Sequence, residues 1–279
     1  MLSSEIRKLL PAAGMLSIDA RGHGSTTQES DELDLSLETL TDDLLFVIRA
    51  TEETMGWENL PPVVLVGHSL GGAVVTNLAK RGDLGASVLG FAVLDVVEGS
   101  AMDALQSMIT YLSTRPSGFP SLESGIDWHV RSRTLRNSTS ARTSVPALLV
   151  KDGEGPRAWR WRTDLAATQR FWEGWFSGLS KKFLGARGGK LLLLAGTDRL
   201  DTELTIGQMQ GKFGTRPHLL LSVVPSFPLS RRCNRVMGAD WLWHRQVRVT
   251  GLPRGRPLYP RGSPGQDGHD VGRLLPAQR

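Results

Sequence analysis

The sequence has little that would suit a secreted or membrane-spanning protein. Among its 279 residues there is one cysteine, Cys233, so the chain cannot close an internal disulfide. No apolar run reaches the length of about 20 residues that a membrane-spanning helix needs. The opening stretch MLSSEIRKLL lacks the long apolar centre of a secretory signal. We therefore expect a protein of the cytoplasm or the nucleus, without a membrane partner.

Lysine and glutamate are both missing from residues 214–279. This tail carries eleven arginines and three aspartates, a net charge of +8, and since the whole chain carries +5, residues 1–213 are mildly acidic. Its eight glycines and eight prolines build little hydrophobic core. Arginine with interleaved tryptophan is one pattern of nucleic-acid-binding segments, but arginine without lysine also suits translated non-coding or frame-shifted sequence. We expect a poorly ordered tail and no nucleic-acid partner.

The body of the chain alternates apolar runs with helical periodicity. Leucine, valine and isoleucine recur at spacings of three and four over residues 37–48, which predicts an amphipathic helix. The runs at 63–67, 88–95 and 190–196 are continuous, as in strands buried on both faces, and a shorter run at 14–19 predicts another strand.

Helical patches fill most of the stretch between the runs at 88–95 and 190–196. Together these elements predict an α/β fold: a mostly parallel sheet with flanking helices, in a domain over residues 1–213, with a helical cap inserted at about 99–185. The tryptophans of this region are expected to pack the core and the cap rather than bind ligand.

The stretch VVLVGHSLGG places Ser69 between Gly67 and Gly71, directly after an apolar run. A serine hydroxyl attacks carbonyl groups well only when a base takes its proton and amides stabilise the oxyanion. In the G-x-S-x-G elbow the serine lies in a sharp strand-to-helix turn, and we expect side chains at both glycines to collide with neighbouring backbone. The motif predicts an acyl-transfer enzyme with Ser69 as nucleophile and the Leu70 amide as first oxyanion donor. The alternative is a glycine-rich turn with a bystander serine.

With a serine in a G-x-S-x-G elbow, the acid and then the histidine of the catalytic triad should follow it along the chain. Asp95 and Asp198 both end apolar runs, and spacing does not choose between them, although fold analogy favours Asp198. His23 and His68 precede or adjoin Ser69 and are interpreted as structural residues that hydrogen-bond in the loop and the turn.

Longer segments resemble the protein phosphatase methylesterase family of α/β-hydrolases over about residues 2–213. They include GHSLGGAV, LDVVEGSAMDALQSM and KLLLLAGTDRLDTELTIGQMQGKF. The resemblance implies that Ser69 is the nucleophile and that Asp95, which opens DVVEG, is the acid, leaving Asp198 as a structural loop residue. It implies a serine carboxylesterase that removes the methyl ester from the C-terminal leucine of its partner, the catalytic subunit of protein phosphatase 2A, without a metal or cofactor.

The sequence departs from that family at both ends. The family's glycine-rich His-Gly loop, which gives a second oxyanion amide, would precede the helix at Met1, and the arginine-rich tail replaces the loop that bears the general base. His218, His244 and His269 lie in the tail, but nothing predicts any of them within reach of Ser69, so the base is not assigned. We therefore expect a chain that is shortened at its N-terminus, altered at its C-terminus and impaired in catalysis. The alternative function is a catalytically inactive phosphatase-binding protein.

Overall fold

A computed structural model describes residues 2–26, 33–194 and 200–213. Asp198 and the tail, with its three histidines, lie outside the described residues. The described helices are α1 (Leu2–Leu9), α2 (Leu37–Thr54), α3 (Leu70–Arg81), α4 (Glu98–Thr114), α5 (Leu122–Arg131), α6 (Ser138–Leu148), α7 (Trp172–Phe176), α8 (Leu179–Gly185) and α9 (Thr202–Met209). The strands are β1 (Val63–His68), β2 (Val88–Leu94), β3 (Gly118–Phe119), β4 (Leu149–Lys151), β5 (Trp159–Trp161) and β6 (Gly189–Leu193).

The central sheet is parallel and has the order β1-β2-β6 in the described part of the chain. The three continuous apolar runs form these strands, as predicted, and the helices at 37–48 and after Ser69 are also confirmed. The register aligns His68 with Leu94 and Leu94 with Leu193, so all three strands end at the same edge. Residues directly after β1 and β2 therefore come close together at the carboxyl edge of the sheet, where parallel α/β folds bind ligands.

The main hydrophobic core lies on one face of this sheet. Leu65, Phe91 and Leu192 of the three strands pack there with buried residues of α2, α3, α7 and α8. The opposite face of β1 is different, because Val64 is 49% and Val66 36% exposed. The expectation that the apolar runs are buried on both faces is thus wrong for β1: its side chains alternate between faces, and the face that carries Val64 and Val66 stays partly exposed.

The segment at 14–19 forms no strand, contrary to the expectation from its apolar run. It pairs with no other strand among the described residues, and its end is fixed by loop contacts instead. The Asp19 carboxylate accepts from the Ser25 amide at 3.1 Å, and the Thr26 hydroxyl donates to the Asp19 carbonyl oxygen at 2.6 Å. A short apolar run therefore becomes a loop here because no neighbouring strand offers a ladder.

The region between β2 and β6 contains a second, smaller hydrophobic cluster. Three short strands pair antiparallel in the order β3-β5-β4, and α5 and α6 pack against them around Phe119, Val145 and Leu149. The sequence predicts only helices here, because strands of two or three residues carry almost no periodic signal. The helical patch ahead of β6 is broken into a 3₁₀ helix, α7 and α8, with Gly178 at φ 73° between the last two. The limits predicted for the cap and for the tail stay predictions.

Tryptophans pack in both clusters. Trp172 and Trp175 are buried in the main core, while Trp128, Trp159 and Trp161 pack in the second cluster. The packing role expected for them from the sequence is therefore confirmed for these side chains.

His129 lies at the centre of the second cluster and is completely buried. Its ring packs edge-to-face against Trp128 and Trp161, with centroids 5.0 and 5.5 Å away. Its Nδ1 lies 2.7 Å from the Gly125 carbonyl oxygen, which can only accept, so Nδ1 carries the proton. Nε2 is then the unprotonated nitrogen, and it is buried without a hydrogen-bond partner among the described residues. A second proton would create a buried cation with no acceptor.

The second cluster is expected to lose stability as the pH falls below about 6.5, the ordinary pKa of histidine. Burial lowers the pKa of His129 in the folded chain, the Gly125 hydrogen bond opposes this, and the nearby Arg115 adds to the lowering. Because the unfolded chain then binds the proton more readily, the free energy of unfolding decreases by up to about 1.4 kcal/mol per pH unit below 6.5, until the folded pKa is reached.

Amide hydrogen exchange of α5 and α6 at pH 7.5 and 5.5 measures this effect. A His129→Phe variant keeps a ring in the cluster but cannot titrate, so its protection factors, which are corrected for the intrinsic pH dependence of amide exchange, should change less between the two pH values. Equal pH dependence in both chains would contradict the prediction.

Candidate active site

Ser69 and Asp95 follow two paired strands at the same edge of the sheet. β1 ends at His68 and β2 at Leu94, and these two residues are register partners. The Ser69 amide donates to the Leu94 carbonyl oxygen at 3.0 Å, which ties the end of β1 to the end of β2. Both Ser69 and Asp95 are partly exposed. The structure thus places the predicted nucleophile and the predicted acid at the ends of two neighbouring strands, on the same edge of the sheet.

Both residues have an unusual backbone conformation. Ser69 has φ 50° and ψ −121°, and Asp95 has φ 56°; with Arg133 they are the non-glycine residues of positive φ in the described ranges. Such conformations cost of order 1–3 kcal/mol and persist only where the surroundings fix them. Two of the three therefore occur at the candidate site, as expected of a functional turn.

The Ser69 hydroxyl is not used to cap the helix that follows. Ser69 is the N-cap residue of α3, a position where serine normally accepts from a backbone amide of the first turn. Here its side chain makes no such bond, and the first turn is closed instead by its carbonyl oxygen, which accepts from the Gly72 and Ala73 amides at 2.8 and 3.2 Å. The hydroxyl is thereby left available for chemistry.

Three glycines surround the turn, but the collision expected for a side chain at Gly67 and at Gly71 holds for only one of these two positions. A Cβ on Gly67 would lie 2.0 Å from the Gly71 carbonyl oxygen, so no side chain fits there. A Cβ on Gly71 would meet nothing within 4 Å, and the expected collision at this position is wrong. The second tight position is Gly72, whose Cβ would lie 2.9 Å from Val96. The second position that requires glycine is therefore 72 rather than 71, because Gly72 faces the end of β2.

The amide of Leu70 is available at the start of α3. Leu70 is the first helical residue, so its amide has no acceptor one turn earlier within the helix. The partial positive charge of a helix N-terminus favours an anion at this point. An oxyanion formed beside Ser69 would therefore be stabilised there.

The two histidines that precede Ser69 along the chain differ in their surroundings. His23 Nδ1 lies 2.9 Å from the Arg21 carbonyl oxygen, which is the loop hydrogen bond that the sequence predicts. For His68, burial lowers the pKa and the charge of Asp95 opposes the shift. Asp95 is therefore close enough to act electrostatically on the imidazole next to Ser69.

Metal-ligating clusters and membrane-spanning helices are both absent from the described residues. Within the part of the chain that the structure describes, no group of three or more His, Cys, Asp and Glu side chains is placed to hold a metal ion. No helix in the described ranges is long and apolar enough to cross a bilayer.

A strained serine in the sharp turn between a parallel strand and a helix is the nucleophile elbow of the α/β-hydrolases. The family model described as "Alpha/beta hydrolase family" matches residues 3–259, and the chain belongs to this family. Its likeness to solved structures agrees: E-2-(acetamidomethylene)succinate hydrolase superposes with a TM-score of 0.52 at 21% identity, covering 75% of this chain and 71% of the other.

Curated relatives narrow the resemblance to one kind of protein. Protein phosphatase methylesterase 1 of Neurospora crassa is 66% identical over 247 residues, covering 76% of this chain and 54% of the relative. The protein of the same name from Yarrowia lipolytica is 49% identical over 211 residues, covering 76% and 49%. The chain thus spans about half the length of the curated relatives it matches. The resemblance stated from the sequence is confirmed by these matches.

Proposed function

We propose that the chain is a serine carboxylesterase that hydrolyses protein methyl esters, with Ser69 as nucleophile, Asp95 as the acid and the Leu70 amide as an oxyanion donor. The observation that carries the proposal is the conformation of Ser69, held at φ 50° and ψ −121° with a hydroxyl that caps no amide. Such strain has no benefit for a bystander serine, whereas a nucleophile must be presented in this way.

The reaction has two steps in this proposal. The Ser69 oxygen forms a bond to the ester carbonyl carbon, the hydroxyl proton passes to a general base that is not assigned among the residues of this chain, and the Leu70 amide stabilises the oxyanion. The carbon–oxygen bond to the methoxy group then breaks, and methanol leaves with that proton. Water, activated by the same base, hydrolyses the acyl-enzyme and frees Ser69. Asp95 orients the base and stabilises its charged form, and neither step calls for a metal ion or a cofactor.

The substrate we propose is the methyl ester of the C-terminal leucine of the protein phosphatase 2A catalytic subunit, acted on in the cytoplasm or the nucleus. Relatives named protein phosphatase methylesterase support the ester and the phosphatase, and the segments around DVVEG and DRLDTELTIGQMQGKF support the particular subunit. The alternative, a phosphatase-binding protein without turnover, keeps the same partner.

Hydrolysis of a synthetic peptide ending in leucine methyl ester tests the proposal, with the free carboxyl product measured by mass spectrometry. Asp95→Asn should slow this reaction by up to about 10⁴-fold, the loss seen in a complete triad, because the base loses its orienting charge. Asparagine tolerates the positive φ of Asp95, so the turn should keep its shape.

Asp103→Asn is the matched control, because Asp103 is exposed on α4, and it should leave the rate unchanged. A folded full chain that binds the peptide without hydrolysing it would contradict the esterase proposal and favour the binding protein. An Asp95→Asn rate equal to that of the unchanged chain would contradict the role of Asp95.

A further inference from the structure

Glu98, the first residue of α4, makes long-range contacts with the start of α8. Its two carboxylate oxygens accept from the Gly178 amide at 2.9 Å and from the Ser180 amide at 3.1 Å. These amides lie about eighty residues away along the chain, yet they face one side chain. Hydrogen bonds in which the acceptor is charged are about twice as strong as neutral ones, so this contact is a firm link between the two helices.

The local backbone is shaped to receive this carboxylate. Gly178 has φ 73°, a left-handed conformation that turns its amide toward the same side as the amide of Ser180. The first amides of a helix have no acceptor within the helix. Glu98 supplies acceptors for two amides at the start of α8 from within the protein.

The link continues from α8 to α9. The Ser180 hydroxyl donates to the Asp201 carboxylate, and the other oxygen of that carboxylate accepts from the Leu204 amide at 2.9 Å at the start of α9. Glu98, Ser180 and Asp201 thus join the starts of three helices in one hydrogen-bonded chain.

Only two residues separate Glu98 from the proposed acid. Val96 and Val97 are 6% and 1% exposed, and the Val96 side chain packs at the tight position beside Gly72. Asp95 itself has φ 56°, and its amide donates to the Leu193 carbonyl oxygen at 2.6 Å. The turn from Asp95 to Glu98 is therefore fixed at one end by the sheet and at the other by the α8 amides.

We propose that Glu98 is a positioning residue for the acid: its carboxylate, bound to the Gly178 and Ser180 amides, holds the strained turn that presents Asp95 beside Ser69. This inference rests on the proposed esterase function. It predicts that loss of the Glu98 contact moves the Asp95 carboxylate, and a displacement on the order of 1 Å in a catalytic group can cost about 10²-fold in rate.

The rate at which a fluorophosphonate probe labels Ser69 in the full chain is the measurement. Glu98→Ala should slow labelling by about 10- to 100-fold. Glu98→Gln keeps one acceptor oxygen and should show a smaller loss, and it serves in place of the alanine variant if that chain does not fold. Circular dichroism establishes that each variant is folded.

A double-mutant cycle separates positioning from general stability. If Glu98 acts through Asp95, then Glu98→Ala should cause little further loss in an Asp95→Asn chain, because coupled residues are not additive. Glu123→Ala removes an exposed glutamate from the first turn of α5 and should leave labelling unchanged.

The possible results of these experiments distinguish the positioning role of Glu98 from the proposed esterase function. Equal losses from Glu98→Ala with and without Asp95→Asn would overturn the positioning role and leave the esterase function intact. A folded, unchanged chain that the probe does not label would overturn the proposed function and the positioning role together.

Discussion

Replacing Ser69 by glycine is expected to abolish ester hydrolysis and, at the same time, to make the chain more stable. The hydroxyl that attacks the ester is lost, so the rate should fall by several orders of magnitude. The backbone at φ 50° and ψ −121° is one that glycine adopts readily and other residues do not. Relief of this strain should raise the free energy of unfolding by about 1 kcal/mol or more.

Ser69→Ala is the matched variant, because alanine lacks the hydroxyl but keeps the Cβ. It should abolish hydrolysis without the gain in stability. Urea unfolding and p-nitrophenyl ester hydrolysis measure the two quantities on the same samples. If the Ser69→Gly chain is less stable than the Ser69→Ala chain, the proposed backbone strain at residue 69 is contradicted. Persistent hydrolysis in either variant would contradict the role of Ser69 as nucleophile.

Gly67→Ala is expected to prevent the chain from folding normally. The new Cβ would lie 2.0 Å from the Gly71 carbonyl oxygen and 2.2 Å from its carbonyl carbon, so backbone rather than a flexible side chain must move. We expect a loss of more than about 4 kcal/mol, a large share of the stability of an ordinary domain.

Gly71→Ala provides the contrast within the same motif. Its Cβ would meet nothing within 4 Å, and Gly71 lies in the first turn of α3, so alanine should stabilise the helix by up to about 1 kcal/mol. The urea midpoints of the two variants, relative to the unchanged chain, should therefore move in opposite directions. Similar losses from both substitutions would contradict the close approach of Gly67 to the Gly71 carbonyl group.

The sequence predicts those parts of the fold that depend on neighbouring residues along the chain. The run before Ser69, the glycine at 67 and the helical periodicity after it define β1, the turn and α3, because each depends on neighbouring residues. The strands β2 and β6 follow from their continuous apolar runs in the same way. The exposed face of β1 could not be predicted, since it depends on which elements lie across the sheet from Val64 and Val66.

The candidate site could be predicted only in part from the residues. Spacing alone left Asp95 and Asp198 as equal candidates, and it was the resemblance that favoured Asp95. The register of His68 with Leu94 gives physical support to that choice, whereas Asp198 lies outside the described residues. Glu98 could not have been found from the sequence, because its contacts join residues about eighty positions apart without any periodic pattern.

The most direct test of the account is to locate the covalent adduct after the full, folded chain is treated with a fluorophosphonate probe. Proteolysis and mass spectrometry should place one adduct on the Ser69 oxygen, and prior unfolding in urea should prevent its formation. An adduct on a different residue, or none on a chain shown to be folded, would contradict the claim that the turn after β1 presents a catalytic nucleophile.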